Sequence, residues 1–240
     1  MPNIIDMPTI LNIETTGKVC SAALTSEGMI LAHREDFEGR NHALLLSDFI
    51  KHCLDFAKDK ELKLDAVAVS LGPGSYTGLR IGLSEAKGLA YALNIPLIGV
   101  NTLELLATRV MFSVDAIDPD TVFIPMVDAR RMEVYTAAYD FGLTPLVEPQ
   151  AMILDENSFA GLKASGRPLL YFGSGAEKAQ EIMSAGCPQA RYVPDVDAVA
   201  VDMIALADRA HLQRNFLDLA YCTPIYLKEF QATKPKNKVI

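Results

Sequence analysis

In the stretch SLGPGSYTGLRIGLSEAKGLA, Ser70 to Ala90, a proline and closely spaced glycines lead directly into a helical pattern. A glycine-rich turn exposes backbone amides, and a helix opening behind it adds positive potential, so the chemistry on offer is the grip of a phosphate or another anion. Ser75 and Thr77 supply hydroxyls that either cap the helix or touch the anion. The spacing excludes two phosphate loops. Gly72, Gly74 and Gly78 read G-x-G-x-x-x-G, one residue too long for the dinucleotide fingerprint. Gly72 and Gly78 enclose five residues where a Walker loop has four, and Leu79-Arg80 follow instead of Lys-Ser/Thr. A structural turn and an anion site both stay open.

Other reactive residue types are sparser. Asp128, Arg130 and Glu133 sit at a corner between two strand-like runs, where Asp128 is expected to cap a turn and Arg130 to pair with it. His33, His42, His52 and His211 share no ligand spacing, so His42 reads as a lone surface or interfacial histidine. Cys20, Cys53, Cys187 and Cys222 are scattered without a C-x-x-C pair and read as buried thiols. No metal and no cofactor is expected.

The elements that must hold these residues follow from hydrophobic periodicity. TILNIETTG, VCSAALTSEG and MILAHREDF read as an antiparallel meander; a helix runs from Asn41, its expected N-cap, to about Lys58. LDAVAVSL is a strand buried on both faces, followed by the glycine loop, a helix from about Thr77 to Leu93, the strand PLIGV and a helix from about Thr102. The order β-β-β-α-β-α-β-α is that of a ribonuclease-H-like unit. After DPDT it restarts with VFIPMVDA and MEVYTAAYD, then helix ENSFAGLKA, strand PLLYFG, a Gly-Ser-Gly turn and helix EKAQEIMSA. The expected fold is therefore α/β, a two-domain actin-like (ASKHA) arrangement with a shorter second domain. Its divisions are 1–105, completed by a helix near 199–214, then 106–198, and a tail at 222–240.

Charge and composition narrow the function. The longest apolar runs fall far short of the roughly 20 residues of a membrane span. The first residues show neither a signal nor a transit peptide, so a cytoplasmic protein is expected. A formal net charge of -8 disfavours a primary grip on a phosphate backbone, so any nucleic-acid role is expected to be indirect. Lys228, Lys234, Lys236 and Lys238 reverse the sign locally and are expected in a solvated tail.

Two helices carry more apolar or smooth surface than one fold needs. Gly78, Gly82, Ala86 and Ala90 form a stripe at spacing four that admits a close neighbour. Leu44, Leu45 and Leu46 span about 200° of the preceding helix, and Phe49 and Cys53 continue the surface. The surplus needs a second burial partner, either the next domain or another chain.

The chain resembles the TsaB (YeaZ) family along nearly its whole length. The resemblance rests on GPGSYTGLRIGLSEAKGLAYALNIPLIGVNTLELLA, VDARRMEVYTAAY, the GSG at Gly173 to Gly175, and PIYLKEF. It implies an accessory subunit without catalysis of its own. Such a subunit binds and activates the paralogue TsaD, which forms threonylcarbamoyladenosine beside the anticodon of tRNA, with the ATPase TsaE as a third component. The implied interface comprises His42, Leu45, Leu46, Phe49 and Cys53 on one helix and Gly78, Gly82, Ala86 and Ala90 on the next. The same surface is expected to form a homodimer when the chain is alone. TsaD carries metal histidines in an H-x-x-x-H motif whose positions here are Thr102 and Leu106, which offer no such donors. Actin-like ATPases end their first strand with Asp-x-Gly-Thr; here Glu14-Thr15-Thr16-Gly17 stand there. With Ser75, Thr77, Gly173 and Gly175 they are read as the remnant of a nucleotide or anion site. The alternatives are an actin-like ATPase or small-molecule kinase and, more remotely, a metallopeptidase.

Overall fold

The computed structural model describes residues 7–39 and 41–228. β1 (Ile10–Glu14), β2 (Cys20–Ser26) and β3 (Met29–Asp36) form the antiparallel meander. Glu27 and Gly28, both at positive φ, make the tight turn between β2 and β3 whose twist suits a hairpin. α1 (His42–Asp59) crosses to β4 (Ala66–Gly72), and α2 (Tyr76–Leu93) crosses to β5 (Leu97–Asn101). β4 lies parallel between β1 and β5 and is buried along its length, as its unbroken apolar run requires. The strand order is β3-β2-β1-β4-β5.

α3 (Thr102–Ser113) leads to a second sheet of β6 (Val122–Asp128), β7 (Glu133–Tyr139), β8 (Pro145–Ile153), β9 (Leu169–Phe172) and β10 (Ala190–Val193). Its order, β8-β7-β6-β9-β10, repeats the first sheet, with the same mixture of antiparallel and parallel pairs. The duplicated α/β architecture expected from the order of elements is therefore present. The second copy is shorter in its helices: α4 (Ala160–Ala164) and α5 (Gln180–Ser184) span five residues each, against 18 in α1 and in α2. α6 (Ile204–Leu212) follows a single 3-10 turn.

Three apolar layers hold these parts. α1 and α2 cover one face of the first sheet, and α4 and α5 cover the outer face of the second. Between the sheets, α3 and α6 share a continuous core with Ile10, Ile98, Phe123 and Phe172. α3 runs across residue 105, where the first half was expected to end, and its apolar side belongs to this shared core.

Several local expectations are corrected. Asn41 is left-handed (φ 63) and makes no side-chain cap; its carbonyl instead starts α1 by accepting from Leu44 and Leu45 amides at 2.8 and 3.0 Å. β8 escaped notice because Pro145 and Pro149 interrupt it, which an edge strand tolerates. β10 has only four residues and lies at the other edge. Residues 177–184 divide into a 3-10 turn and α5 rather than one helix. Lys228 is exposed, as expected, but forms an ion pair with Glu133; Lys234, Lys236 and Lys238 lie outside the described residues.

Candidate functional site

β1 and β4 are parallel neighbours, so their C-terminal ends set the Glu14–Gly17 turn beside the Gly72–Ser75 loop. The Ser75 amide donates to the Thr16 carbonyl at 2.7 Å. A Cβ on Gly74 would stand 2.5 Å from that oxygen, and one on Gly78 would stand 2.0 Å from the Thr15 carbonyl. Thr15 Oγ1 donates to the Gly78 carbonyl at 2.8 Å, and a Cβ on Gly82 would stand 2.3 Å from Thr15 Oγ1. These glycines are thus required by the neighbouring turn of the same chain. Ser75 caps α2 by accepting from the Gly78 amide at 3.2 Å, which leaves Thr77 exposed at the opening of the helix.

Glu14 is fully buried. Its Oε1 accepts from the Thr16 amide and hydroxyl, both at 2.5 Å, and its Oε2 accepts from Ser70 Oγ. Burial pushes the carboxyl above its ordinary range despite these bonds. Neither Glu14 nor Thr15 reaches the cleft between the sheets, so two members of the expected anion site are turned inward.

The cleft itself measures about 1120 Å³. Thr16, Ser75 and Thr77 form one wall; Arg130, Glu133 and Ser174 form part of the other. Gly173 and Gly175 flank Ser174 without lining the cleft. A Cβ on Gly173 would stand 2.6 Å from the Met126 carbonyl, and one on Gly175 would stand 3.0 Å from the Asp128 amide, so both serve close packing on β6. Asp128 does cap its turn, accepting from the Arg130 amide at 3.1 Å, but its ion-pair partner is Lys178, not Arg130. Lys178 also donates to the carbonyls of Arg131 and Glu133 at 2.8 and 2.6 Å, which ties the β6–β7 turn to the segment after β9. Lys18 and Arg131 join Arg130 in the lining and give the cleft a positive rim suited to an anion.

The second candidate surface lies on α1 and α2. Gly78, Gly82, Ala86 and Ala90 are buried in the chain itself, as are Leu46 and Cys53; these expected contact residues form the seam by which the two helices and the β1–β2 turn close on the sheet. His42, Leu45 and Phe49 are half-buried, and His42 Nε2 is enclosed without a hydrogen-bond partner among the described residues. The outward face is a different set of residues. Leu44 is 72% exposed. Ala43, Ile81, Ser84, Gly88 and Leu89 line a groove of about 780 Å³ along α2, where Ser47 Oγ donates to Glu85 Oε1 at 2.9 Å. Among the described residues, nothing lies within 4 Å of where a Cβ on Gly88 would stand.

Thr102 and Leu106 are buried, Leu106 within the core shared by the sheets. Among the described residues, no three of His, Cys, Asp or Glu stand together as metal donors. Burial pushes the thiols of Cys20 and Cys53 up to about 12 and about 11, which keeps them protonated and unreactive. Cys222, unlike the other three, is only half-buried.

Sequence reasoning passed over Lys18, Arg131 and Ser174 in the cleft, which nothing local in the chain singles out. It also passed over the outer groove, although a signal was present. Ser84, Gly88 and Ala92 form a second small-residue stripe, offset by two residues from the first and so about 200° away around α2.

Residues 36–168 match the family model described as TsaD, tRNA N6-adenosine threonylcarbamoyltransferase. The tRNA threonylcarbamoyladenosine biosynthesis protein TsaB of Bacillus subtilis (strain 168) is 34% identical over 69% of this chain and 70% of its own length. The protein of the same name from Escherichia coli (strain K12) is 28% identical over 94% of this chain and 96% of its own. Among solved structures, YeaZ from Pseudomonas aeruginosa superposes with a TM-score of 0.72 at 25% identity, covering 92% of this chain and all of that one. No helix among the described residues is long and apolar enough to cross a membrane. With near-full-length relatives in sequence and in fold, the chain belongs to the TsaB (YeaZ) family.

Proposed function

We propose that this chain serves the formation of threonylcarbamoyladenosine in tRNA as a partner subunit without catalysis of its own, binding and activating a TsaD paralogue. The contact face is the outward side of α1 and α2, with Leu44, Ile81 and Leu89 as apolar anchors and Ser84 and Gly88 as the smooth strip between them. The observation that carries this reading is Gly88. A glycine in the middle of an exposed helix costs about 0.5–1 kcal/mol relative to alanine. Nothing among the described residues fills the space beside Gly88. Close approach of a partner helix gives that glycine a purpose.

The same face makes a homodimer when the chain is alone, because related paralogues offer self-complementary surfaces. TsaE joins at the junction. The tRNA is held mainly by the partner, in keeping with the net charge of -8 on this chain. Turnover of ATP by this chain is disfavoured by Glu14, whose carboxylate is enclosed by Thr16 and Ser70 instead of being presented to the cleft.

Sedimentation of the chain with its TsaD tests the interface. Gly88→Arg fills open space, so the variant stays folded while association weakens by at least tenfold. Wild-type affinity in that variant would move the interface elsewhere.

A further inference from the structure

The last described residues run from the first sheet to the second. After α6 the chain returns to the first sheet, where the Leu217 amide donates to the Leu97 carbonyl and the Ile225 amide to the Leu71 carbonyl, both at 2.8 Å. The second contact depends on Gly72, which sits at φ +112 with the Ile225 carbonyl 2.9 Å from where its Cβ would stand. A few residues on, Lys228 Nζ meets Glu133 Oε2 at 2.6 Å, at the start of β7 in the second sheet. Between these anchors Tyr226 sets its ring 5.4 Å from that of Tyr76, and its hydroxyl accepts from Arg80 Nε at 3.4 Å. The Arg80 guanidinium lies over the Tyr76 ring, 4.2 Å from its centroid. Residues 225–228 thus form a strap across the mouth of the cleft, one end on each sheet and the middle resting on α2.

Tyr76 is a wall common to both cavities. It lines the groove on α2 and also the cleft, whereas Arg80 lines the groove alone and Tyr226 and Lys228 line the cleft alone. We propose that the strap links the two cavities: a body seated in the groove that draws Arg80 away from Tyr226 loosens the Lys228–Glu133 pair, and a change in the cleft acts back on the groove. Such a coupling is reciprocal by linkage. Its components are an aromatic stack, a hydrogen bond and an ion pair between exposed Lys228 and the less exposed Glu133, each of which is made or broken as a unit. That a partner occupies the groove rests on the function proposed above; the link itself is a property of the isolated chain.

Amide hydrogen exchange on the full chain tests it. Arg80→Met keeps the aliphatic stem and removes the guanidinium, Tyr226→Phe keeps the ring and removes the hydroxyl, and Lys228→Met opens the ion pair. Each should speed exchange at the Ile225 amide and at the Ala129 and Glu133 amides of the β6–β7 turn by about three- to tenfold. β2 and β9, which the strap does not touch, should keep wild-type protection; if Arg80→Met alone loses it, Tyr226→Phe carries the comparison. An effect of Lys228→Met on the turn without one from Arg80→Met or Tyr226→Phe would show that nothing passes through Tyr226 and overturn the link. No effect from any variant would overturn the strap. In a second arm, adding TsaD should change exchange at the turn in the wild type and not in Lys228→Met; binding without that change would also overturn the link. Absence of binding would refute the partner role alone and leave the first arm decisive.

Discussion

At the end of β1 a carboxyl group is enclosed on every side, with hydrogen bonds to Thr16 and Ser70 on its two oxygens. Desolvation outweighs those bonds and raises its pKa above the ordinary value of 4.5. The sign of the linkage follows: as pH rises from 4.5, the unfolded chain releases this proton while the folded chain still holds it, so stability falls through that window. Glu14→Gln keeps the shape and removes the titration. The variant should therefore lose less stability than the wild type between mildly acidic and neutral pH, as read by urea unfolding across that range. Parallel curves would mean that Glu14 ionises in the native state as freely as in the unfolded one. The residue type at position 14 was legible in the sequence as a departure from an ATPase pattern; its inward direction was not, because Thr16 and Ser70 close around it only in the folded sheet.

At the scale of elements, α2 carries two small-residue stripes on opposite sides, and the fold uses one of them. Ala86 is fully buried, so Ala86→Arg places an unpaired cation in the core and should destabilise the chain by about 3–5 kcal/mol, a loss seen in thermal unfolding whether or not a partner is present. Gly82→Ala would press its Cβ on Thr15 Oγ1 and should cost about 1–3 kcal/mol. Gly88→Ala should do the reverse and stabilise the isolated chain by about 0.5–1 kcal/mol, since its surroundings are open, while weakening association. Equal destabilisation by the Gly82 and Gly88 variants would contradict the assignment of faces. Strand-like apolar runs made the meander and β4 readable, and helical periodicity made α1 and α2 readable. It could not choose between the stripes, because the choice is made by Thr15, which arrives from a turn distant in sequence. β8 and β10 lay hidden for a related reason: edge strands admit proline and polar residues that blur the alternation.

The whole molecule is two copies of one sheet topology joined by a core on α3 and α6, with a positive-rimmed cleft on one side and a smooth helical groove on another. The duplication was legible from the order of elements, and the family from long motifs. The cleft was only half legible, since Lys18, Arg131 and Ser174 converge from turns of both sheets. Thr102 and Leu106, the positions that the resemblance sets against the histidines of TsaD, are buried. The most direct test is nucleoside mass spectrometry on tRNA incubated with TsaD, TsaE, the adenylate-forming enzyme, threonine, bicarbonate and ATP, with and without this chain. Threonylcarbamoyladenosine should form only when the chain is present and should be nearly absent when Gly88→Arg replaces the wild type; full modification without the chain would contradict the activator role itself.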